Sequence, residues 1–232
     1  GAAYAGRPYG TYYASAAGLA ATGAYTRGAY GANYFSPAWY ARYPSAWAPA
    51  AYVGAPMAGW GGLSSFCGYP AQPNYYDYGG NVVSQPNAMY VNGDPAGSPQ
   101  QYAEQAGQIA NAGGAAQADP NDAWQLVGIF AVAPNGDNPP NEFFQLAINK
   151  QGALRGNYHN ADGDKTAPIA GGVDPKTLRA AWTIGDSKAP VFEAGIANLT
   201  KDETTMLVHG PDGQSSQIVL VRMPPPDQQP QR

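Results

Sequence analysis

Few side chains in this 232-residue sequence are arranged in patterns that support catalysis. His159 and His209 are the two histidines, and neither has sequence neighbours that form a HExxH, Cys/His or serine-triad pattern. The glycines lie among Tyr and Ala residues rather than between a strand and a helix, so the sequence contains no phosphate-binding loop of the Walker or dinucleotide type. We therefore expect a non-enzymatic protein without a cofactor, in which both histidines are structural or exposed.

One group of oxygen-bearing side chains has a spacing that could bind a hard cation. Asn160, Asp162 and Asp164 alternate around Gly163, in the manner of calcium ligands on a short loop. No glutamate follows at the distance of a bidentate ligand, and an Asn/Asp/Gly hairpin turn accounts for the same residues. We expect the turn, with calcium binding as the alternative. The acceptor pattern Asn198-Leu199-Thr200 is likewise expected to be a strand-end turn without a glycan.

The bulk composition argues against several classes of partner. Charged residues make up 12% of the chain and the net charge is −4, without a basic stripe that would neutralise phosphates. No run approaches the roughly 20 apolar residues of a membrane helix. We therefore expect neither nucleic-acid binding nor membrane insertion. Cys67 is the single cysteine, and we expect a small buried hydrophobic side chain, with an interchain disulfide as the alternative.

The elements that would position these residues are clearest in residues 119–223, where apolar and polar residues alternate with period two between recognisable turns. In the fifth predicted strand, the core face should consist of Leu178, Ala180, Trp182 and Ile184. Short connections favour pairing of sequence neighbours, so we expect an antiparallel up-and-down barrel or a two-sheet sandwich. The barrel is preferred because it has no free edges. The eight predicted strands lie near 124–133, 143–150, 153–159, 166–173, 177–184, 190–198, 203–209 and 216–223.

Residues 1–65 have a different character, with tyrosine and tryptophan set among glycine and alanine. Glycine allows close backbone approach, and tyrosine offers a flat apolar face with a hydroxyl that needs a partner when buried. We predict an extended assembly arm that packs on neighbouring subunits, with a disordered low-complexity tail as the alternative. The predicted interface residues are Tyr4, Tyr9, Tyr12, Tyr13, Tyr25, Tyr30, Tyr34, Trp39, Tyr40, Tyr43, Trp47, Tyr52 and Trp60.

Residues 66–118 are a connector rich in proline and tyrosine, and residues 224–232 are a proline-rich tail. A small hairpin or an extended arm is expected before the Asn92-Gly93 turn. One helix is predicted over 99–112, and its shallow apolar face suits a close-packed spacer or an interface. The helix signals are Ser98 as N-cap, Pro99 as first residue, Gln101 in a capping box and Gly113 at the end.

Six segments are specific enough to indicate a relationship: Phe66–Pro73, Tyr75–Gly79, Phe144–Gly152, Arg155–Tyr158, Ala180–Trp182 and Glu193–Asp202. In these segments the chain resembles a planctomycete family of secreted cell-surface proteins that carries a mu-protocadherin-like label. The resemblance covers roughly residues 36 to 222 and implies export, a surface location and no assigned enzymatic activity. The first residue, Gly1, fits a form left by signal-peptide removal, although a cleaved tag or proteolysis would look identical.

These observations lead to two functional hypotheses. We expect a structural subunit of an extracellular filament, fibre or surface layer, a homopolymer whose copies assemble through the aromatic arm. The alternative is a β-barrel binding module at the cell surface that holds a ligand or an envelope polysaccharide. A hydrolase would need a catalytic constellation that the sequence pattern does not display.

Overall fold

Four helices and a small sheet precede the main body of the described chain. The computed structural model describes residues 7–8, 16–29, 34–48, 56–119, 121–133 and 139–225. The strands β2, β3 and β4 pair as an antiparallel sheet, so the connector contains the hairpin rather than an extended arm. The elements of this half are β1 (Arg7–Pro8), α1 (Ala16–Ala29), α2 (Pro37–Arg42), α3 (Trp60–Cys67), β2 (Val82–Gln85), β3 (Ala88–Val91), β4 (Asp94–Pro95) and α4 (Pro99–Ala115).

Eight antiparallel strands in the second half of the chain close into a barrel. Each strand pairs with its sequence neighbour, and the last also pairs with the first to complete the ring. The predicted fold class is confirmed, and the barrel forms rather than the sandwich. The strands are β5 (Trp124–Val132), β6 (Glu142–Asn149), β7 (Ala153–Asn160), β8 (Lys165–Val173), β9 (Arg179–Ile184), β10 (Val191–Gly195), β11 (Glu203–His209) and β12 (Ser215–Arg222).

The strand bounds follow the predicted ones closely, with two differences that have local causes. Strand β9 begins at Arg179 because Leu178 has a φ of 62°, a left-handed conformation that does not fit a strand. Strand β10 ends at Gly195 instead of residue 198, because the chain turns there into a short 3-10 helix at Asn198–Thr200. Leu178 is nevertheless buried in the core, as predicted.

Apolar side chains from all eight strands fill the barrel interior. Phe144, Trp182 and Phe192 pack against one another there, with ring centroids 5.2 to 6.1 Å apart. Ala180 and Ile184 contact the same core, which confirms the face predicted for the fifth strand. The barrel is therefore a packed core rather than a container for a ligand.

Helix α3 is fixed against this core. Leu63 is fully buried within it, and Gly68 ends the helix in the left-handed conformation that favours glycine, with a φ of 71°. Just before the helix, the Ala58 amide donates a hydrogen bond of 3.0 Å to the Leu126 carbonyl. Arg222 donates to the Ala58 carbonyl at 2.7 Å, so both sides of this peptide are held by the barrel.

The outer face of the barrel is also apolar in large part, and segments of the first half cover it. Residues 34–48, which we call the aromatic segment, cover β5, β6 and β12. Connector residues cover β11, and α4 covers β8 and β9. The outward side chains buried in this way are Ile129, Ala131, Phe143, Val219, Val221 and Met223 under the aromatic segment, Leu207 under the connector, and Ala181 and Val191 under α4.

The first half is more helical than the single predicted helix. Helix α1 is rich in alanine, the residue with the highest helix propensity. Helix α2 begins after Ser36, whose hydroxyl accepts a hydrogen bond from the Trp39 amide at 3.2 Å, and Pro37 occupies the first position. Such short helices depend on tertiary packing, which explains why no persistent period marks them in the sequence.

Helix α4 begins as predicted but ends later. Ser98 accepts a hydrogen bond from the Gln101 amide and its own amide donates to the Gln101 side chain, which is the predicted capping box. The helix continues through Gly113 to Ala115, so the prediction that Gly113 ends it is wrong. A Cβ at Gly113 would lie 2.2 Å from the Gly171 carbonyl oxygen. This glycine therefore allows close contact between α4 and β8.

Candidate functional site

A carboxylate is buried on the outer face of the barrel, beneath the covering segments. Glu193 on β10 is 0% exposed and accepts two hydrogen bonds from Arg179 on β9, Nε to Oε1 at 2.8 Å and Nη2 to Oε2 at 2.9 Å. His209 Nε2 on β11 lies 2.7 Å from Oε2, and the Tyr78 hydroxyl donates to Oε1 at 2.9 Å. We call these four residues the Glu193 cluster.

The barrel register brings the cluster together. In the antiparallel ladders, Glu193 lies opposite Ala181 on β9 and Leu207 on β11. Arg179 and His209 are each two residues from those positions, so all three side chains share one face of the sheet and reach one another diagonally.

The charge state of the cluster follows from its pairing. Burial alone would raise the pKa of Glu193, but the Arg179 charge and the hydrogen bonds from His209 and Arg179 lower that pKa to about 2. Burial would lower the pKa of Arg179, whereas the Glu193 charge and hydrogen bonds raise it. Glu193 is thus an ionised carboxylate at neutral pH, stabilised by partners rather than by water.

The cluster also joins the barrel to the connector. Arg179 donates from Nη1 to Gln105 Oε1 at 2.7 Å and from Nη2 to the Tyr102 carbonyl at 2.9 Å, and both residues belong to α4. The guanidinium carbon lies 3.6 Å from the centre of the Tyr102 ring, in cation–π geometry. Tyr78 approaches Glu193 from the segment before β2. A single buried carboxylate therefore ties the connector and α4 to the barrel wall.

His209 makes a second contact, on its other ring nitrogen. Its Nδ1 lies 2.7 Å from the Ser215 hydroxyl oxygen, directly across the β11–β12 hairpin, where the two residues are paired in register. Because the ionised Glu193 carboxylate can only accept hydrogen bonds, Nε2 carries a proton, and when the ring is in that neutral tautomer Nδ1 is an acceptor. The Ser215 hydroxyl then donates to Nδ1. The structure thus aligns a serine, a histidine and a carboxylate.

Ser215 and His209 line an open cleft of about 1040 Å³. Its walls come from the β2–β3 hairpin, the start of α4 and the turn between β11 and β12. Ser215 is partly exposed, whereas His209 is buried behind it. Most of the polar lining consists of uncharged amide and hydroxyl side chains, among them Ser84, Gln85, Asn87, Gln100 and Gln214.

The sequence pattern does not reveal this arrangement, because its three members are not adjacent in a motif. Glu193 reaches Arg179 and His209 only through pairing of neighbouring strands. One signal was available: His209 and Ser215 flank Pro211-Asp212-Gly213, a sequence typical of a turn, symmetrically, and a hairpin about that turn places them opposite each other. His159, by contrast, is buried among the rings of Tyr34, Trp39 and Tyr43, consistent with a structural role.

The aromatic segment packs on the barrel of its own chain. Trp39 is 6% exposed and contacts the outward side chains of β5, β6 and β12, together with Tyr34, Tyr40 and Tyr43. Trp47 stacks edge-on against Trp124, with ring centroids 4.9 Å apart. Five of the residues predicted to form an intermolecular interface therefore pack on their own chain, four of them in the cluster around Trp39, and Trp47 in a separate cluster with Trp124.

The remaining predicted interface residues are distributed differently. Tyr25 on α1 is 43% exposed, and Trp60 on α3 packs against the barrel core. The other six lie outside the described residues: Tyr4, Tyr9, Tyr12, Tyr13, Tyr30 and Tyr52.

The residues considered for calcium are engaged in local contacts. The Asn160 side-chain oxygen accepts from the Asp162 amide at 3.0 Å, as in an Asx turn, and Asp162 accepts from Asn141. Asp164 is paired with Arg42 at 2.6 Å and also accepts from the Tyr43 hydroxyl. The three side chains are thus oriented by different partners. Within the described part of the chain, no group of three or more His, Cys, Asp or Glu side chains has the geometry of a metal site.

Cys67 and Asn198 are both packed inside the chain. The Cys67 thiol is half-buried at the end of α3 against the barrel core, and this burial raises its pKa to about 11. A thiol with so high a pKa is mostly protonated and reacts slowly, which disfavours the interchain disulfide. Asn198 is fully buried, and its side chain bonds the Tyr76 amide and carbonyl at 2.8 and 3.1 Å. This placement fits the predicted turn without a glycan.

Comparison with protein-family models, curated proteins and solved structures gives no match. Among the described helices, none combines the length and the apolar character needed to cross a bilayer.

Proposed function

We propose that this chain is a structural subunit of a secreted, extracellular filament, fibre or surface layer, in which the aromatic segment of one subunit covers the barrel of the next. The observation that carries the proposal is the apolar outer wall on β5, β6 and β12, which depends on a separate aromatic segment for its cover. A segment that docks on its own barrel in the monomer can make identical contacts on a neighbouring copy. Repetition of such an exchange generates a polymer.

The way the aromatic segment is held supports such an exchange. Asn157 on β7 accepts from the Trp47 amide at 2.9 Å and donates to the Trp47 carbonyl at 2.8 Å. The Tyr40 hydroxyl donates to Gln145 on β6. Side chains of the barrel thus bind this segment as they would bind a peptide, and residues 34–48 contribute no strand to the described sheets. Docking therefore needs no rearrangement of the barrel ladder.

The composition supports the same proposal. Charged residues are 12% of the chain, about half the usual share, so the surface has little electrostatic repulsion to keep copies apart. Aromatic side chains with a polar tip are also the residues enriched where proteins meet.

Assembly and exchange are tested in two steps. First, negative-stain microscopy and sedimentation velocity on the full chain should show large assemblies. A Trp39→Ala variant should show fewer, because Trp39 is the most buried tryptophan of the segment. The matched control is Gln100→Ala, an exposed position on α4 distant from the aromatic segment in sequence. A full chain that stays monomeric at high concentration would overturn the proposal.

Second, a photo-crosslinking amino acid is placed at Tyr43, which lies beside Asp164 on the barrel surface. Chains labelled with ¹⁴N and ¹⁵N are mixed during assembly, irradiated and analysed by mass spectrometry. Exchange predicts crosslinks that join a ¹⁴N peptide to a ¹⁵N peptide. Crosslinks confined to single-isotope pairs in assembled material would show that the segment stays on its own barrel.

The cleft beside the Glu193 cluster favours a second candidate function, a surface binding module. Because the barrel interior is filled, a ligand would bind in this outer cleft rather than inside the barrel. Its uncharged amide and hydroxyl lining suits a neutral polyhydroxylated ligand such as an envelope polysaccharide. A monomeric chain whose thermal midpoint rises with added neutral oligosaccharide would support this function over the first.

A further inference from the structure

We infer that Ser215 is an activated nucleophile that takes acyl groups from ester substrates bound in the cleft. This activity is independent of assembly and goes beyond the proposed structural role. The inference stands on three side chains in line, Ser215, His209 and Glu193, at the border of an open cleft. The order is that of nucleophile, general base and orienting carboxylate.

The geometry meets the requirements for general-base activation. The Ser215 Oγ to His209 Nδ1 distance and the His209 Nε2 to Glu193 Oε2 distance are both 2.7 Å. The buried, ionised carboxylate holds the imidazole in the tautomer with a proton on Nε2, so that Nδ1 can accept the serine proton. Ser215 faces the cleft while its base lies behind it, which leaves the hydroxyl accessible to a substrate.

The proposed reaction is acyl transfer to Ser215 followed by hydrolysis, and neither step requires a metal or a redox cofactor. Ser215 Oγ attacks the ester carbonyl carbon while its proton moves to His209 Nδ1. The tetrahedral intermediate expels the alcohol, which leaves with that proton, and the acyl group remains on Ser215. Water then attacks the acyl-serine, gives a proton to His209, and releases the carboxylic acid as Ser215 recovers its proton.

The cleft suggests the substrate class. Its polar lining is mostly uncharged, so a neutral acyl ester of a hydroxylated compound fits better than a highly charged ester. Lys188, Asn87 and Gln214 are among the lining residues that carry the N–H donors a developing oxyanion would need. Because Arg179 shares the Glu193 charge, the carboxylate stabilises an imidazolium less than an unpaired one would. We therefore expect slow turnover, with acylation detected most readily from activated esters whose alcohol leaves easily.

The test uses the full chain and two probes, a biotinylated fluorophosphonate and p-nitrophenyl acetate. The fluorophosphonate should label Ser215, located by peptide mass spectrometry, and p-nitrophenyl acetate should give a burst of p-nitrophenol. Ser215→Ala should abolish both signals. The control is Ser65→Ala, since Ser65 is an exposed serine on α3 that is not among the cleft-lining residues. That variant should label at the rate of the unmodified chain.

A second variant tests the base. His209→Gln should slow labelling of Ser215 by about 100-fold or more, the usual contribution of general-base assistance. Circular dichroism and thermal midpoints show whether each variant is folded, and Ser215→Ala is expected to be. Absence of labelling in the folded unmodified chain would overturn the inference. So would equal labelling of the Ser215→Ala chain, or an unchanged labelling rate in a folded His209→Gln chain.

Discussion

At the scale of single residues, Glu193 joins two barrel strands to the connector. A buried carboxylate is costly unless it is paired and hydrogen-bonded, and Glu193 has three such partners on two strands and the connector. Removing the carboxylate charge would leave the Arg179 guanidinium, only 4% exposed, without its anion. The Arg179–Glu193 ion pair therefore affects stability more than any exposed ion pair in the described part of the chain.

Glu193→Gln should destabilise the fold by about 3 to 5 kcal/mol, the usual effect of breaking a buried ion pair from one side. Urea unfolding monitored by circular dichroism would measure this. The control is Arg42→Gln, which removes an ion pair whose side chains are 68% and 51% exposed, and its effect should stay below about 1 kcal/mol. Equal effects of the two substitutions would contradict this account of the cluster.

Glu193 also predicts how stability depends on pH. Its folded-state pKa is about 2, below the ordinary value of 4.5, so the folded protein binds the proton less readily than the unfolded chain. The stabilisation is fully present above about pH 4.5 and is lost as pH falls toward 2, amounting to about 3 kcal/mol. Thermal unfolding of the unmodified chain and of Glu193→Gln should differ most near neutrality. A difference that stays constant down to pH 2 would exclude this linkage.

At the scale of elements, the C-terminal end of α4 contacts the barrel directly through the two backbones, in addition to the side-chain contacts made by the rest of the helix. Gly113 in α4 meets Gly171 and Gly172 in β8, and a Cβ at Gly113 would lie within 2.2 to 2.3 Å of their backbone atoms. Arg155 on β7 donates to the Gly113 carbonyl at 3.0 Å and fixes the same end of the helix. Backbone proximity thus sets how closely the helix covers β8 and β9.

Gly113→Ala should therefore destabilise the protein although alanine favours helices. We expect a loss of about 1 to 3 kcal/mol, because the methyl group forces α4 away from β8. Gly107→Ala in the same helix is the matched control, since its added Cβ meets nothing within 4 Å. That substitution should stabilise by about 0.5 to 1 kcal/mol. Chemical unfolding of both variants measures the contrast, and a stabilising Gly113→Ala would refute the close-contact interpretation.

The elements also show which parts of the fold the sequence predicts. The strands follow from local alternation, such as Ala180 and Trp182 on the core face of β9, and the α4 start follows from its cap. Burial of the opposite face of β9 was not predictable in this way. Arg179 is buried there through contacts with residues up to 77 positions away on α4. The Glu193 cluster escaped prediction for the same reason, because its members meet only through long-range pairing.

At the scale of the whole molecule, the barrel and its covering segments form one connected structure. The barrel has an apolar core inside and further apolar clusters outside, and each outer cluster needs side chains from the first half of the chain. Loss of one covering segment would expose part of the wall to water. The free energy of unfolding should therefore depend on residues far from the barrel in sequence.

The Trp39→Ala substitution tests whether the covering segment and the barrel unfold together. It removes a buried indole from the aromatic segment and should lower the free energy of unfolding by about 3 to 5 kcal/mol. Fluorescence and far-ultraviolet circular dichroism should shift together in urea if the cover and the barrel unfold as one unit. Val83→Ala, at a position 41% exposed, should change the midpoint little. If the Trp39→Ala chain showed a separate unfolding transition at low urea while the barrel unfolded at its usual urea concentration, the cover and the barrel would not be a single unfolding unit.

The closed ring of β5 to β12 has a consequence for any fibre built from this chain. In cross-β fibres, strands of successive chains stack along the fibre axis and produce a sharp reflection near 4.8 Å. Here β12 pairs with β5 to close the ladder of each barrel, and the two-residue strand β1 pairs with β12 beside that junction, so the described strands offer little open edge on which another chain could continue the stack. Aligned fibres should therefore lack the sharp meridional 4.8 Å reflection and should not enhance thioflavin fluorescence. Their X-ray pattern would instead report the spacing of whole barrels.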